Sequence, residues 1–191
     1  MEIFDAPQIV APTGFNLVDP IENRELAKKL LKKRTESIQD SVDYEIIRNG
    51  DNRNGNIALF NKHSNTLDYL AHYAAKYYSH IGETITQLKL WRRRGSPYVQ
   101  GITRQIFYSY LLQNYPMIMS DGQQTDDGRK FWLDRMAEAT TLGYRVGLAN
   151  LYTRSVDWFD PAHSTFGEWI SNHDQWGAED SYRELRYLIA N

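Results

Sequence analysis

The chain has no cysteine. Disulfides, thiolate nucleophiles and cysteine-ligated zinc are excluded together. It also lacks any run approaching the ~18 consecutive apolar residues that a membrane-crossing helix needs. Met1-Glu2-Ile3-Phe4-Asp5 has neither the basic stretch nor the apolar core of a signal peptide, so a cytoplasmic protein without membrane contact is expected. Excess charge of either sign is missing too. The 22 Lys and Arg stand against 24 Asp and Glu, for a formal net charge of −2. General nucleic-acid binding is not expected, because such proteins carry a basic surplus. The five histidines, at 63, 72, 80, 163 and 173, show no metal-ligand spacing, and no metal site is expected.

What remains is a globular composition. A chain of 191 residues, 41% of them apolar, can close one core of ordinary size. Residues 1–18 are broken by Pro7, Pro12 and Gly14 and read as an extended arm. Its apolar residues Ile3, Phe4, Ile9 and Val10 have no evident partner in the same domain, so association through the arm, as a homo-oligomer or with another protein, is expected. Residues 19–191 form the domain. Asp19-Pro20-Ile21-Glu22 carries a cap, a first-turn proline and a capping-box glutamate, which start a helix running to about Ile38.

Strands are expected at Tyr44–Arg48 and Ile57–Phe60, separated by a turn-rich loop over 49–56. Leu67–Tyr78 holds many alanines, yet Leu67, Tyr69, Ala71, Tyr73, Ala75 and Tyr77 alternate with more polar residues. This segment reads as a strand paired with 57–60 across a turn at His63–Thr66. Thr84–Arg92 is a strand with Leu88 and Leu90 on one face and Trp91 on the other. Helices follow at Ile102–Gln113 and from Asp126 to about Leu142, with a short strand at Met117–Met119 between them. Tyr144–Leu151 and Tyr182–Ala190 read as strands. Residues 153–180 form a tryptophan-rich segment with turns, in which Trp158, Trp169 and Trp176 pack against the sheet or cover a substrate.

Two stretches bear on chemistry. Gly95-Ser96-Pro97-Tyr98-Val99-Gln100-Gly101-Ile102 joins a strand to a helix start, where backbone N–H groups converge and favour an anion such as pyrophosphate. Lys89, Arg92, Arg93 and Arg94 stand at its mouth and suit contact with a cofactor phosphate or nucleic acid, or else an exposed strand end. Met117-Ile118-Met119-Ser120-Asp121-Gly122-Gln123-Gln124-Thr125 is a buried strand ending in polar groups, the place where open α/β sheets hold ligands.

This order of elements, with Tyr98-Val99-Gln100-Gly101-Ile102-Thr103 opening the central helix, resembles the GCN5-related N-acetyltransferase (GNAT) family, and its bacteriophage-encoded branch in particular. The likeness covers roughly residues 40–191. It includes residues 119–125, the helix carrying Gly128 and Phe131-Trp132, and Trp176-Gly177 before the last strand. It implies an α+β fold with a mixed, mostly antiparallel central sheet flanked by helices. It also implies an acyl-CoA-dependent N-acyltransferase, using acetyl-CoA or another acyl-CoA, acting on a protein or nucleobase amine in the host cytoplasm. Val99, Gln100, Gly101, Ile102 and Thr103 would bind the cofactor phosphates.

The family's phosphate loop has Arg or Gln where this chain has Tyr98, and Gly or Ala where it has Thr103; Gly101 matches. Such a reaction needs a group that takes a proton from the amine. Asp121, Glu83 and Tyr152 are candidates, Asp121 first and Glu83 second; Asp121 in Ser-Asp-Gly equally suits a turn or cap, and Ser120 and Gln124 would either orient the substrate or satisfy loop amides. The alternative is a catalytically inactive domain of the same fold that binds a host or phage protein, as a virion component or an inhibitor.

Overall fold

The computed structural model describes residues 2–4, 16–120, 126–173 and 184–191, of which 2–4, 87–89 and 126–127 are described by their backbone alone. The first long helix, α1 (Pro20–Lys32), starts as its sequence predicts. The Asp19 carboxylate accepts the Ile21 and Glu22 N–H groups, Pro20 occupies the first turn, and Lys29 and Lys32 face the negative end. It ends earlier than expected. The Lys33 N–H closes on carbonyls of the last turn, and the chain leaves as strand β2 (Arg34–Asp40). The cause is tertiary. Residues 34–40 complete the edge of the sheet beside β3 (Tyr44–Gly50), and that pairing outweighs a helical pattern in a basic run.

Strands β3, β4 (Asn54–Asn61), β5 (Thr66–Tyr78) and β6 (Gly82–Arg92) form an antiparallel meander. The expected loop over 49–56 is shorter than its composition suggests. Asp51 accepts the Arg53 and Asn54 N–H groups at 2.7 and 2.8 Å, so the turn is tight and pairing reaches Gly50 and Gly55. Leu67–Tyr78 is a strand, paired antiparallel with β4 as its alternation predicts. Leu90 and Trp91 lie in separate cores on opposite faces of the sheet.

After β6 a helical run covers 102–114. It is α-helical at Ile102–Gln105 (α2), π-helical at Ile106–Leu111 and α-helical again at Leu112–Asn114 (α3). Then come β7 (Met117–Met119), α4 (Asp126–Thr141) and β8 (Arg145–Asn150). The tryptophan-rich segment, whose composition predicts turns, contains two regular elements, β9 (Ser155–Trp158) and α5 (Phe166–His173). Gly147 makes room for β9, because a Cβ there would lie 2.8 Å from the Trp158 ring. The last strand, β10 (Leu185–Ala190), inserts between β7 and β8.

The described strands make one mixed sheet in the order β2-β3-β4-β5-β6-β7-β10-β8-β9, mostly antiparallel, with β6 and β7 parallel. The fold is α+β. The helical run 102–114 and α4 cover one face, where Phe107, Leu111, Trp132 and Met136 meet Ile57, Tyr69, Ile85 and Ile118. On the other face Leu26, Ala27 and Leu30 of α1 pack with Leu17 on Ile47, Ala58 and Leu70. Each such fully buried large side chain contributes roughly 1.5–3 kcal/mol. Asn23, fully buried, ties α1 to β5: it donates to the Leu17 and Leu67 carbonyls and accepts the Leu67 N–H. Among the described residues no helix is long and apolar enough to cross a membrane.

Candidate functional site

Strand β6 has two edges. Strand β5 takes one of them along its length, from Gly82 to Arg92. On the other edge β7 pairs only at Ile85 and Thr86, and the parallel ladder then stops. Between His72 and Tyr73 of β5 the register slips, so that β6 carries an extra residue between Gln87 and Lys89. A bulge of this kind bends the strand and strengthens its local twist. Beyond it, the far edge of β6 is taken by strand β1 (Glu2–Phe4), parallel and opposite Lys89, Leu90 and Trp91. Strand β1 also packs against α4. The arm's apolar residues predict a partner outside the domain; the backbone of residues 2–4 pairs inside it.

The end of β6 opens into a notch of about 330 Å³ lined by residues 92–96 and 99–101. A buried carboxylate builds its wall. Asp68 sits on β5 at 1% exposure. It pairs with the Arg93 guanidinium at 2.7 Å and accepts the Asn61 amide at 2.9 Å and the Ser96 hydroxyl at 2.8 Å. Its carbonyl accepts the Arg93 N–H at 2.7 Å. Asp68 therefore fixes both the strand end and the turn. It was not singled out from the sequence, although one acidic residue between Leu67 and Tyr69 in an apolar strand was the available signal.

Gly101 precedes α2 with φ +73°. A Cβ at Gly101 would meet nothing within 4 Å, so the space before the helix is open. Hydrogen bonds in this stretch engage the N–H groups of Ser96, Tyr98, Ile102 and Gln105. Those of Gln100, Gly101 and Thr103 have no partner among the described residues. The expected cofactor residues thus divide. Val99, Gln100 and Gly101 line the notch. Ile102 turns its side chain into the core, and Thr103 is half-buried in the first turn. Arg92 and Arg94 are exposed beside them. The donors, the open space and the cations suit the phosphates of a nucleotide-type cofactor.

The other candidates do not gather there. Glu83 stands at the opposite end of β6, in a second cleft of about 420 Å³ with Arg53, Lys76 and Tyr77. Nine residue steps along the strand separate Glu83 from Arg92, roughly 30 Å. Ser120 is fully buried; its hydroxyl accepts the Tyr187 N–H at 3.0 Å and its own N–H reaches the Tyr187 carbonyl at 2.9 Å. That arrangement extends the β7–β10 ladder. Tyr152 lies exposed in the turn after β8. Asp121 and Gln124 lie outside the described residues, as does Trp176. Trp169 packs in the core and donates to Asp157 at 3.0 Å, which joins α5 to β9, while Trp158 lies under the Arg145 guanidinium at 4.2 Å.

A second polar cluster lies away from the notch. Arg48 donates to the Tyr73 hydroxyl at 2.8 Å and to Asn52 at 2.6 Å, and Tyr110 donates to Glu36 at 2.6 Å. Burial pushes the Tyr73 and Tyr110 hydroxyls above the usual phenol range, so both stay protonated donors near neutral pH. This cluster links β2, β3 and β5 to the π-helical turn. Three histidines contact carboxylates: His63 with Asp43 at 2.7 Å, His163 with Asp160 at 2.8 Å and His173 with Asp157 at 3.4 Å. No group of three or more potential metal ligands occurs among the described residues. Comparison with protein-family models, curated proteins and solved structures finds no match.

Proposed function

We propose that the protein is an acyl-CoA-dependent N-acyltransferase with a GNAT-like site, acting on a protein or nucleobase amine in a phage-infected cell. One observation carries the reading. The parallel pair β6–β7 parts after two residues, and the edge so released leads to a notch of open N–H groups and arginines at a helix start. An extended chain carrying phosphates at one end suits that combination. When bound, the thioester supplies the activated acyl carbon. The chain's own part is to hold the phosphates at Val99–Gly101, to order the turn through Asp68, and to take a proton from the attacking amine. The amine nitrogen would bond to the acyl carbon as the C–S bond breaks, and the proton taken from the amine by the carboxylate would pass to the departing thiolate. Asp121 follows the buried end of β7 and is the preferred proton acceptor; Glu83, at the other end of β6, is the weaker one.

The second reading is a catalytically inactive domain of the same fold that works by binding a host or phage protein. The pairing of β1 along β6 favours it, since that strand stands where an extended ligand would lie. Thermal denaturation with coenzyme A separates the two. A ligand at 100 times its dissociation constant adds about 2.7 kcal/mol, which raises Tm by roughly 5–11 °C in a domain of this size. No shift at millimolar coenzyme A in well-folded protein favours the binding protein. Asp121→Asn then tests the chemistry: it spares the Tm shift and lowers turnover if Asp121 accepts the proton.

A further inference from the structure

We propose that Glu2–Phe4 is an exchangeable strap that competes in cis with the ligand for the far edge of β6, a proposal that rests on the acyl-CoA reading of that edge. The placement is specific. Strand β7 leaves β6 after Thr86, and β1 takes the same edge again from Lys89 to Trp91. Trp91 is followed directly by Arg92, the first residue of the notch. An extended ligand that runs from the parting of β6 and β7 to the notch must cross those positions. The backbone groups that such a ligand would pair with are the ones that β1 faces.

The strap is also built to leave. It comprises three residues, in a parallel ladder, which is the less stable kind per residue. Most sheet strands hold five or six residues. Removing β1 takes no strand from the ordered path, because it pairs with β6 alone and lies off the series from β2 to β9. The strap lies between β6 and α4, so its departure opens a groove between a strand edge and a helix without breaking any other pairing.

The absence of cysteine allows a direct test in the whole 191-residue chain. Glu2 and Lys89 are register partners. Neighbouring strands lie about 4.8 Å apart, within the Cα separation that a disulfide spans. Glu2→Cys with Lys89→Cys therefore gives a reducible lock. A second variant, Ile3→Pro with Phe4→Pro, loosens the strap: adjacent N–H groups of a strand point to opposite sides, and the pair removes whichever faces β6. Coenzyme A binding is measured by calorimetry. The expected results are a dissociation constant at least tenfold weaker in the oxidised lock, restored by reduction, and at least threefold tighter in the proline variant. Comparing the lock oxidised and reduced separates a blocked edge from a misfolded chain. Equal binding by the oxidised, reduced and proline forms overturns the strap and leaves the acyl-CoA reading standing. No binding by any form overturns that reading and the strap with it.

Discussion

Replacing Arg93 by methionine should cost far more than the loss of an ordinary surface arginine. Its partner Asp68 is the reason. The Asp68 side chain is 2% exposed and the Arg93 side chain 34%. The substitution leaves a buried carboxylate with two remaining donors, Asn61 and Ser96. Stranding one charge of a buried pair costs about 3–5 kcal/mol. The partial exposure of Arg93 lets water screen the pair, so about 2–3 kcal/mol is expected. That lowers Tm by roughly 4–12 °C for a domain of this size. Adding Asp68→Asn removes the stranded charge and should return at least ~1 kcal/mol, a coupling of the size that contacting residues show. Urea denaturation of the two single variants and the double variant, followed by circular dichroism, measures the cycle. Additive effects, or a loss below about 1 kcal/mol for Arg93→Met, would refute the argument that Asp68 depends on Arg93.

Asn23→Ala should destabilise by about 2–4 kcal/mol in the same assay, because it strips the Leu67 N–H of its Asn23 acceptor and the Leu17 carbonyl of its Asn23 donor, while the Leu67 carbonyl keeps only Arg93; Asn23→Asp, which keeps the acceptor, should cost less. Gly101→Ala should cost about 1–2 kcal/mol from its left-handed backbone alone, since the added Cβ meets nothing, and Gly101→Val should cost more. The Glu168 carboxyl is held below its ordinary value by the Thr165 N–H and hydroxyl at the start of α5. A depressed folded-state pKa gives stability that is present above the unfolded value and lost as pH falls through the folded one. The protection factors of amides in the first turn of α5, corrected for the intrinsic pH dependence of exchange, should therefore fall as pH drops below about 4.3, and Glu168→Gln should abolish that dependence.

Local chemistry made much of this fold legible. The cap at Asp19 and Pro20, the alternation over Leu67–Tyr78 and the turn at His63–Thr66 each point to one outcome, and the structure has it. The helix drawn through to Ile38 failed because residues 34–40 are a strand only by virtue of β3 beside them. The placement of β10 between β7 and β8 is likewise a long-range pairing that no window of sequence encodes. At the site, the turn before α2 and its glycine were visible, since positive φ and convergent N–H groups follow from local pattern. Asp68 was not, because its role depends on a loop 25 residues further along. The bond from the Tyr187 N–H to the Ser120 hydroxyl comes from a strand 67 residues away, beyond any local pattern. The pairing of β1 with β6 could not be read from an arm that has no period of its own.

The central claim is that the far edge of β6 and the turn before α2 hold an acyl-CoA. The most direct measurement is a backbone amide titration by nuclear magnetic resonance with coenzyme A. The account predicts saturable shifts concentrated at the N–H groups of Val99, Gln100, Gly101 and Thr103, accompanied by changes at Leu90 and Trp91 as β1 gives way. Unmoved resonances at those six residues in millimolar coenzyme A, or shifts confined to the distant cleft around Glu83, would contradict it.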